Sequence, residues 1–334
     1  MPGPAPEPVR PGGAAPENAA CERCHTQIAR EWRSSMHAQA DTDPVYRRAL
    51  AVEPLPFCRG CHAPEANPRA DAPPAVSAIG VGCVTCHVTT AGAAPDIAPT
   101  LATPASSGST ESPAPHAVLR APTFATAAAC AACHEFDFPT HERGQPSERM
   151  QSTVSEHAAS PHADTSCAAC HMPEEGGHRS HAFAASHDVA MLRSALVVTA
   201  ARASASTVTV TLTRGNVGHA FPTGDLFRRL VVSAEAVEDD WVVVGEATRA
   251  LHRRFELRET TPGSLRRIRH LVDDDRVGAG VRAAVPVSLD LGERAVGRRV
   301  LWRVEYQRVE HPIGSEDVRA AVADSIVVAE GTLL

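Results

Sequence analysis

Lysine is absent from this chain of 334 residues; all 32 basic side chains are arginine. No metal or prosthetic group can therefore be held by a lysine amine of the same chain. Aromatic residues are scarce, at 13 in all, and residues 1 to 190 are rich in Ala, Pro, Ser and Thr. A segment so poor in Leu, Ile and Phe struggles to bury a core from its own side chains. No stretch is long and apolar enough to span a membrane. The formal charge of −7 argues against a nucleic-acid partner. The opening residues, 1 to 20, lack the apolar run of a secretion signal and read as a disordered Pro/Ala-rich leader.

There is also no unpaired cysteine motif. The ten cysteines fall into five copies of CxxCH: Cys21-Cys24-His25, Cys58-Cys61-His62, Cys83-Cys86-His87, Cys130-Cys133-His134 and Cys167-Cys170-His171. On a helical turn, cysteines at i and i+3 share a face and can form thioethers with the two vinyl groups of one porphyrin. Histidine at i+4 then stands over that face and can bind the iron. Zinc usually takes two CxxC pairs per metal, so five pairs is an odd number, and it gives no reason for a histidine after each. Thioredoxin-like chemistry wants one CxxC opening a helix after a strand, a context these segments lack. The expected cofactor is haem c, five copies, covalently attached. Attachment of that kind takes place outside the bacterial cytoplasm, so the expected location is periplasmic or extracellular, with the signal absent from this sequence. Five porphyrins would supply the apolar surface that residues 21 to 190 lack.

The texture changes near residue 190. The stretch 206–214 alternates strictly, with Val208, Val210 and Leu212 on one face and threonines on the other. Further strand-like runs begin at residues 228, 241, 281, 299 and 325. The expected fold class is multidomain: a haem-cored, mostly short-helix and irregular pentahaem cytochrome domain (21–190), followed by an antiparallel β-sandwich (191–334) of about seven or eight strands. The run 249–270 carries seven arginines, which suit an acidic partner or haem propionates, or else a solvated strand face.

Five irons also need sixth ligands. A weak internal repeat aligns residues 31–38 (EWRSSMHA) with residues 156–163 (EHAASPHA), which pairs His37 with His162 and sets His157 in the place of Trp32. His116 sits in a polar loop ahead of the fourth motif. His181 lies in a cluster with His178 and His187 after the fifth. His219 follows the best-patterned strand, between Gly218 and a Pro222-Thr223-Gly224 turn. The distal candidates are thus His37, His116, His162, His181 and His219, with His141, His178 and His187 in reserve. Met36, Met150 and Met172 are the alternatives in kind, and the excess of histidine favours bis-His ligation and low reduction potentials. A lone histidine is otherwise an ordinary surface or hydrogen-bonded residue.

The motifs CxxCH and EWRSSMHA together resemble those of multihaem cytochromes c related to the tetrahaem electron carrier of ammonia oxidisers. The resemblance covers most of residues 21 to 230. It implies a distal-ligand segment Trp32-x-x-Ser35-x-His37-Ala38, and His157 departs from its pattern. The expected function is electron transfer along closely spaced haems between redox protein partners. One alternative is a reductase of nitrite, hydroxylamine or a similar oxidant at a haem with an open site; the absence of lysine excludes a lysine-ligated catalytic haem. Another is a conduit or filament subunit that self-associates through the β-domain.

Overall fold

The structure is a computed structural model that describes residues 13–89, 100–104, 116, 118–138, 147–259, 263, 267–280, 282–310 and 317–334. Most of the leader, most of the Pro/Ser/Thr-rich stretch 89–115 between the third and fourth motifs, and the reserve ligand His141 lie outside these residues. The chain forms two compact units: residues 1–136 with 165–184, and residues 137–164 with 185–334.

The first unit is built of short helices: Ala14–Cys24, Thr26–Ser34, Pro44–Val52, Pro56–His62, Pro74–Ser77, Cys83–His87, Ala128–His134 and Cys167–His171. Their starts are written locally. Asp43 caps the third by accepting the Tyr46 backbone N–H at 2.7 Å, with Pro44 in the first turn. Ser166 caps the last by accepting the Ala169 N–H at 3.2 Å. One apolar cluster of this unit is Trp32, Ala38 and Ile79, with Ala14 packed against them, and Ala29, Tyr46, Leu50, Ala63, Ala66 and Val84 are also buried. Most of these side chains are small, so they supply little apolar surface for a unit of this length.

The second unit is an antiparallel sandwich. Its strands are β1 (Leu196–Arg202), β2 (Thr207–Arg214), β3 (Arg228–Val237), β4 (Val243–Leu251), β5 (Arg253–Glu259), β6 (Arg267–Asp274), β7 (Ala284–Asp290), β8 (Arg299–Val309) and β9 (Val322–Leu333). One sheet runs β7-β2-β1, another β4-β3-β8-β9, and β5 and β6 form a separate hairpin. The alternation in 206–214 becomes register: Val208, Val210 and Leu212 face Leu289, Val287 and Val285 across the β2–β7 ladder. All six are buried, and they pack with Leu230, Val232, Val300 and Val304 of the other sheet in one core.

The segment 137–164, which lies between the fourth and fifth CxxCH in sequence, belongs to this β unit. It is held there by charge. The Glu156 carboxylate accepts from Arg276 Nη2, Thr223 Oγ1 and Ser152 Oγ, each at 2.7 Å. Arg276, 3% exposed, also donates to Asp274 and to the Pro222 carbonyl. Arg253 donates to the Met150 and Gly224 carbonyls. Two members of the arginine-rich run thereby differ in fate: Arg253 is buried, while Arg254 pairs with Asp273 at the surface.

Candidate haem sites

Each CxxCH occupies one helical turn. In the first, the His25 N–H donates to the Cys21 carbonyl at 2.9 Å just past Ala14–Cys24, and the other four lie wholly inside their helices. Every motif therefore presents two thiols and an imidazole from one turn, as the spacing requires. None of the ten cysteines is in a disulfide. Among the described residues, no group of three or more His, Cys, Asp or Glu side chains is assembled to hold a metal ion.

The five turns lie close together within the first unit. The Cys61 side chain lies near that of Cys133, Cys130 near Cys167, and Cys21 near Cys83. Motif two thus neighbours motif four, four neighbours five, and one neighbours three.

The histidines carry the strongest geometric signal. The ring centroids of His25 and His116 are 6.2 Å apart, as are those of His37 and His134 and those of His87 and His181. Two imidazoles bonded across one metal, at about 2 Å per bond and about 1.1 Å more to each ring centre, have centroids about 6.2 Å apart. Each pair joins one CxxCH histidine to one of the distal candidates His116, His37 and His181.

Backbone carbonyls fix the tautomers of several rings. His62 Nδ1–H donates to Ala40 O at 2.7 Å, and His171 Nδ1–H to Ala184 O at 2.6 Å. His181 Nδ1–H donates to Arg179 O at 2.8 Å. A proton held on Nδ1 leaves the Nε2 lone pair for a metal, the usual arrangement around ligating histidine. Burial pushes the His37 imidazole down to about 4, with nearby His134, His171 and His181 adding to the effect, so it is neutral and able to ligate at pH 7. Burial likewise lowers His181.

The segment Trp32–Ala38 shows how His37 is held. Trp32 is buried and its Nε1–H donates to Val81 O at 2.9 Å. Ser35 Oγ donates to Trp32 O and accepts the Ala38 N–H, turning the chain out of the helix. The Val81 N–H donates to His37 O at 2.8 Å, two residues before Cys83. The loop carrying His37 is thus tied to the residues leading into the third motif. Tyr46 stacks on His62, with ring centroids 3.7 Å apart and planes within 3°. Its buried hydroxyl has no hydrogen-bond partner among the described residues, as fits a donor next to a bound group.

His162 and His219 lie in the β unit. There a Cβ on Gly218 would meet His157 Cδ2 at 3.0 Å and His162 Cβ at 3.3 Å, so Gly218 is needed for the close approach. His219 Nδ1–H donates to Ala220 O at 2.9 Å. Of the reserves, His178 Nε2 bonds the Glu31 carboxylate at 2.9 Å, and His187 is exposed.

Several contributors are not apparent from sequence. The repeat in 31–38 and 156–163 was read for its histidines, yet its acidic residues also act. Glu31 accepts His178 and the His181 N–H, and Glu156 accepts Arg276. The serines match as well: Ser35 Oγ accepts the Ala38 N–H, and Ser160 Oγ the His162 N–H. The identity of the repeat's first and fifth residues was the available signal.

Helical turns that each offer two thiols and an imidazole fit haem c, which when bound supplies one-electron redox chemistry at iron. The set supports a c-type cytochrome with several haems. Comparison with known proteins agrees. Residues 20–88 match the family described as cytochrome c554 and c-prime. The fold is similar to that of a penta-heme cytochrome c552 from Thermochromatium tepidum, with a TM-score of 0.68, 21% identity, and coverage of 96% of this chain and 98% of that one. No curated protein matches the chain. No helix among the described residues is long and apolar enough to cross a membrane.

Proposed function

We propose that the chain is a pentahaem c-type cytochrome that carries electrons along closely spaced, mainly bis-His haems between redox partners outside the cytoplasm. The observation that carries this reading is the 6.2 Å separation shared by His25–His116, His37–His134 and His87–His181. In it, His25, His62, His87, His134 and His171 are the proximal ligands, and His116, His37 and His181 are the distal ligands of the first, fourth and third haems. An iron held between two imidazoles exchanges electrons without a free coordination site, which favours a carrier over an enzyme. The contacts between neighbouring CxxCH turns favour transfer from haem to haem. The segment Trp32-x-x-Ser35-x-His37-Ala38 supports the finer kinship with tetrahaem carriers of ammonia oxidisers.

The test is direct. Protein matured with a cytochrome c assembly system should carry five covalent haems by intact mass. Electron paramagnetic resonance of the oxidised protein should be dominated by low-spin iron. His37→Ala, His116→Ala and His181→Ala should each keep five haems and convert one of them to high spin. Haem-free, zinc-loaded protein from that host would overturn the reading outright.

A further inference from the structure

We propose that Phe183 is a positioning residue that sets the ring orientation of two distal ligands, His37 and His181, and so tunes two haems together. The inference rests on the ligand assignment above. The Phe183 ring stands edge-to-face against His37, with centroids 4.3 Å apart and planes at 85°. It also stands edge-to-face against His181, at 5.7 Å and 81°. One side chain thus abuts the imidazole facing His134 and the imidazole facing His87.

The backbone at Phe183 strengthens the case. Its φ is 50°, in the left-handed region that residues with a Cβ seldom adopt. Glycine suits that conformation best, so a residue chosen only to turn the chain would be glycine. A bulky ring there points to a use for the ring.

The loop around it is tied on both sides. Before Phe183, the Glu31 carboxylate accepts His178 Nε2 and the His181 N–H, each at 2.9 Å, and the Ser180 N–H donates to Pro173 O. After it, Ala184 O accepts the His171 ring N–H, so the next residue orients the proximal ligand of the fifth motif. The ring is therefore held by a loop that cannot drift far from either imidazole. Edge-to-face contact restricts rotation of an imidazole about its iron–nitrogen bond. The angle of the imidazole plane governs the splitting of the low-spin iron orbitals, and the surroundings of an axial ligand tune its potential.

The experiment compares holoprotein carrying Phe183→Leu, Phe183→Gly and Phe183→Tyr with the parent. All should retain the parent's haem count by mass. In the Leu and Gly variants, the resonance g-values of two low-spin haems should move and two components of a spectroelectrochemical titration should shift, while Tyr should stay close to the parent. Unchanged g-values in Leu and Gly, equal change at every haem, or a Tyr variant as altered as Leu would overturn the proposal. The Gly variant separates ring from backbone, since it keeps the turn and loses only the contacts. His37→Ala and His181→Ala run alongside. If neither produces high-spin iron, the ligand assignment itself fails. If both do while Leu and Gly match the parent, the inference about Phe183 fails alone.

Discussion

Gly80→Ala should damage a haem site without replacing a ligand, a CxxCH residue or an aromatic side chain. Gly80 has a φ of +47°, and a Cβ there would lie 2.5 Å from His37 O and 2.8 Å from Ala38 O. Alanine in left-handed backbone costs about 1–2 kcal/mol. The clash comes on top, and because both obstructing atoms are backbone, no rotamer change relieves it. The turn at 37–38 must move, and the bond from the Val81 N–H to His37 O then goes, at about 1 kcal/mol. The bond from Trp32 to Val81 O is strained by the same shift. The total is a loss of about 2–4 kcal/mol. It falls on the segment that presents His37. Gly177→Ala is the control: its φ is +82° and nothing lies within 4 Å of a Cβ, so only the backbone part, about 1–2 kcal/mol, applies. Thermal unfolding followed by Soret circular dichroism measures the loss, and the resonance spectrum reports iron spin state. Gly80→Ala should cost clearly more than Gly177→Ala and should alone produce a high-spin haem. Equal losses in the two variants, or an all-low-spin Gly80→Ala protein, would refute the account of how His37 is held.

Trp32→Phe removes the donor to Val81 O and should lower stability by about 1–2 kcal/mol in the same thermal assay, with haem count unchanged. Burial raises the Glu156 carboxyl, but the Arg276 charge and hydrogen bonds from Thr223, Ser152 and Arg276 outweigh it and hold the group below its ordinary range. Its stabilisation is therefore present above about pH 4.3 and is lost as pH falls through the lower folded value. The melting temperature of the β unit, followed by near-ultraviolet circular dichroism, should fall as the pH drops through this range, and Glu156→Gln should flatten that pH dependence; an identical dependence in both proteins would count against it. Glu156→Ala leaves Arg276 short of one buried partner and should cost about 3 kcal/mol at neutral pH, read from the same curves. Reduced protein should bind carbon monoxide slowly or not at all, and fast, complete binding observed by flash photolysis would argue for open irons.

How much of this was legible follows from the kind of signal. The five CxxCH turns could be read because covalent attachment fixes residue types at fixed offsets. Strands β2 and β7 could be read because one face of each is buried and the other is not, which writes alternation into the sequence; β3, β4, β8 and β9 showed instead as runs rich in β-branched residues. Strand β1, Leu196–Arg202, was missed; its alternate residues Val198, Ala200 and Arg202 are only half-buried, so the pattern is faint. The β5–β6 hairpin was hidden by its arginines, whose burial depends on partners far along the chain: Arg253 reaches Met150 and Gly224. The packing of 137–164 into the β unit leaves no periodic trace either, since it rests on pairs such as Glu156 with Arg276. Carbonyl partners for imidazole nitrogens are invisible for a plainer reason. Ala40, Ala184 and Arg179 contribute only backbone oxygen, which every residue has.

The excursion of residues 137–164 has a consequence for how the protein can be made. The polypeptide leaves the short-helix unit after the fourth CxxCH, contributes to the β unit, and returns for the fifth. During synthesis the fifth CxxCH emerges before any of β1 to β9, so Glu156 waits for Thr223 and Arg276 until most of the chain has followed. A gene shortened after residue 184 would encode every haem-attachment motif, yet would strand this insert with a carboxylate lacking its arginine and Phe138 lacking Phe255. A minimal haem-binding fragment would therefore have to dispose of this insert as well as of the strands that hold it. In this chain, haem-binding capacity and foldability do not end at the same codon.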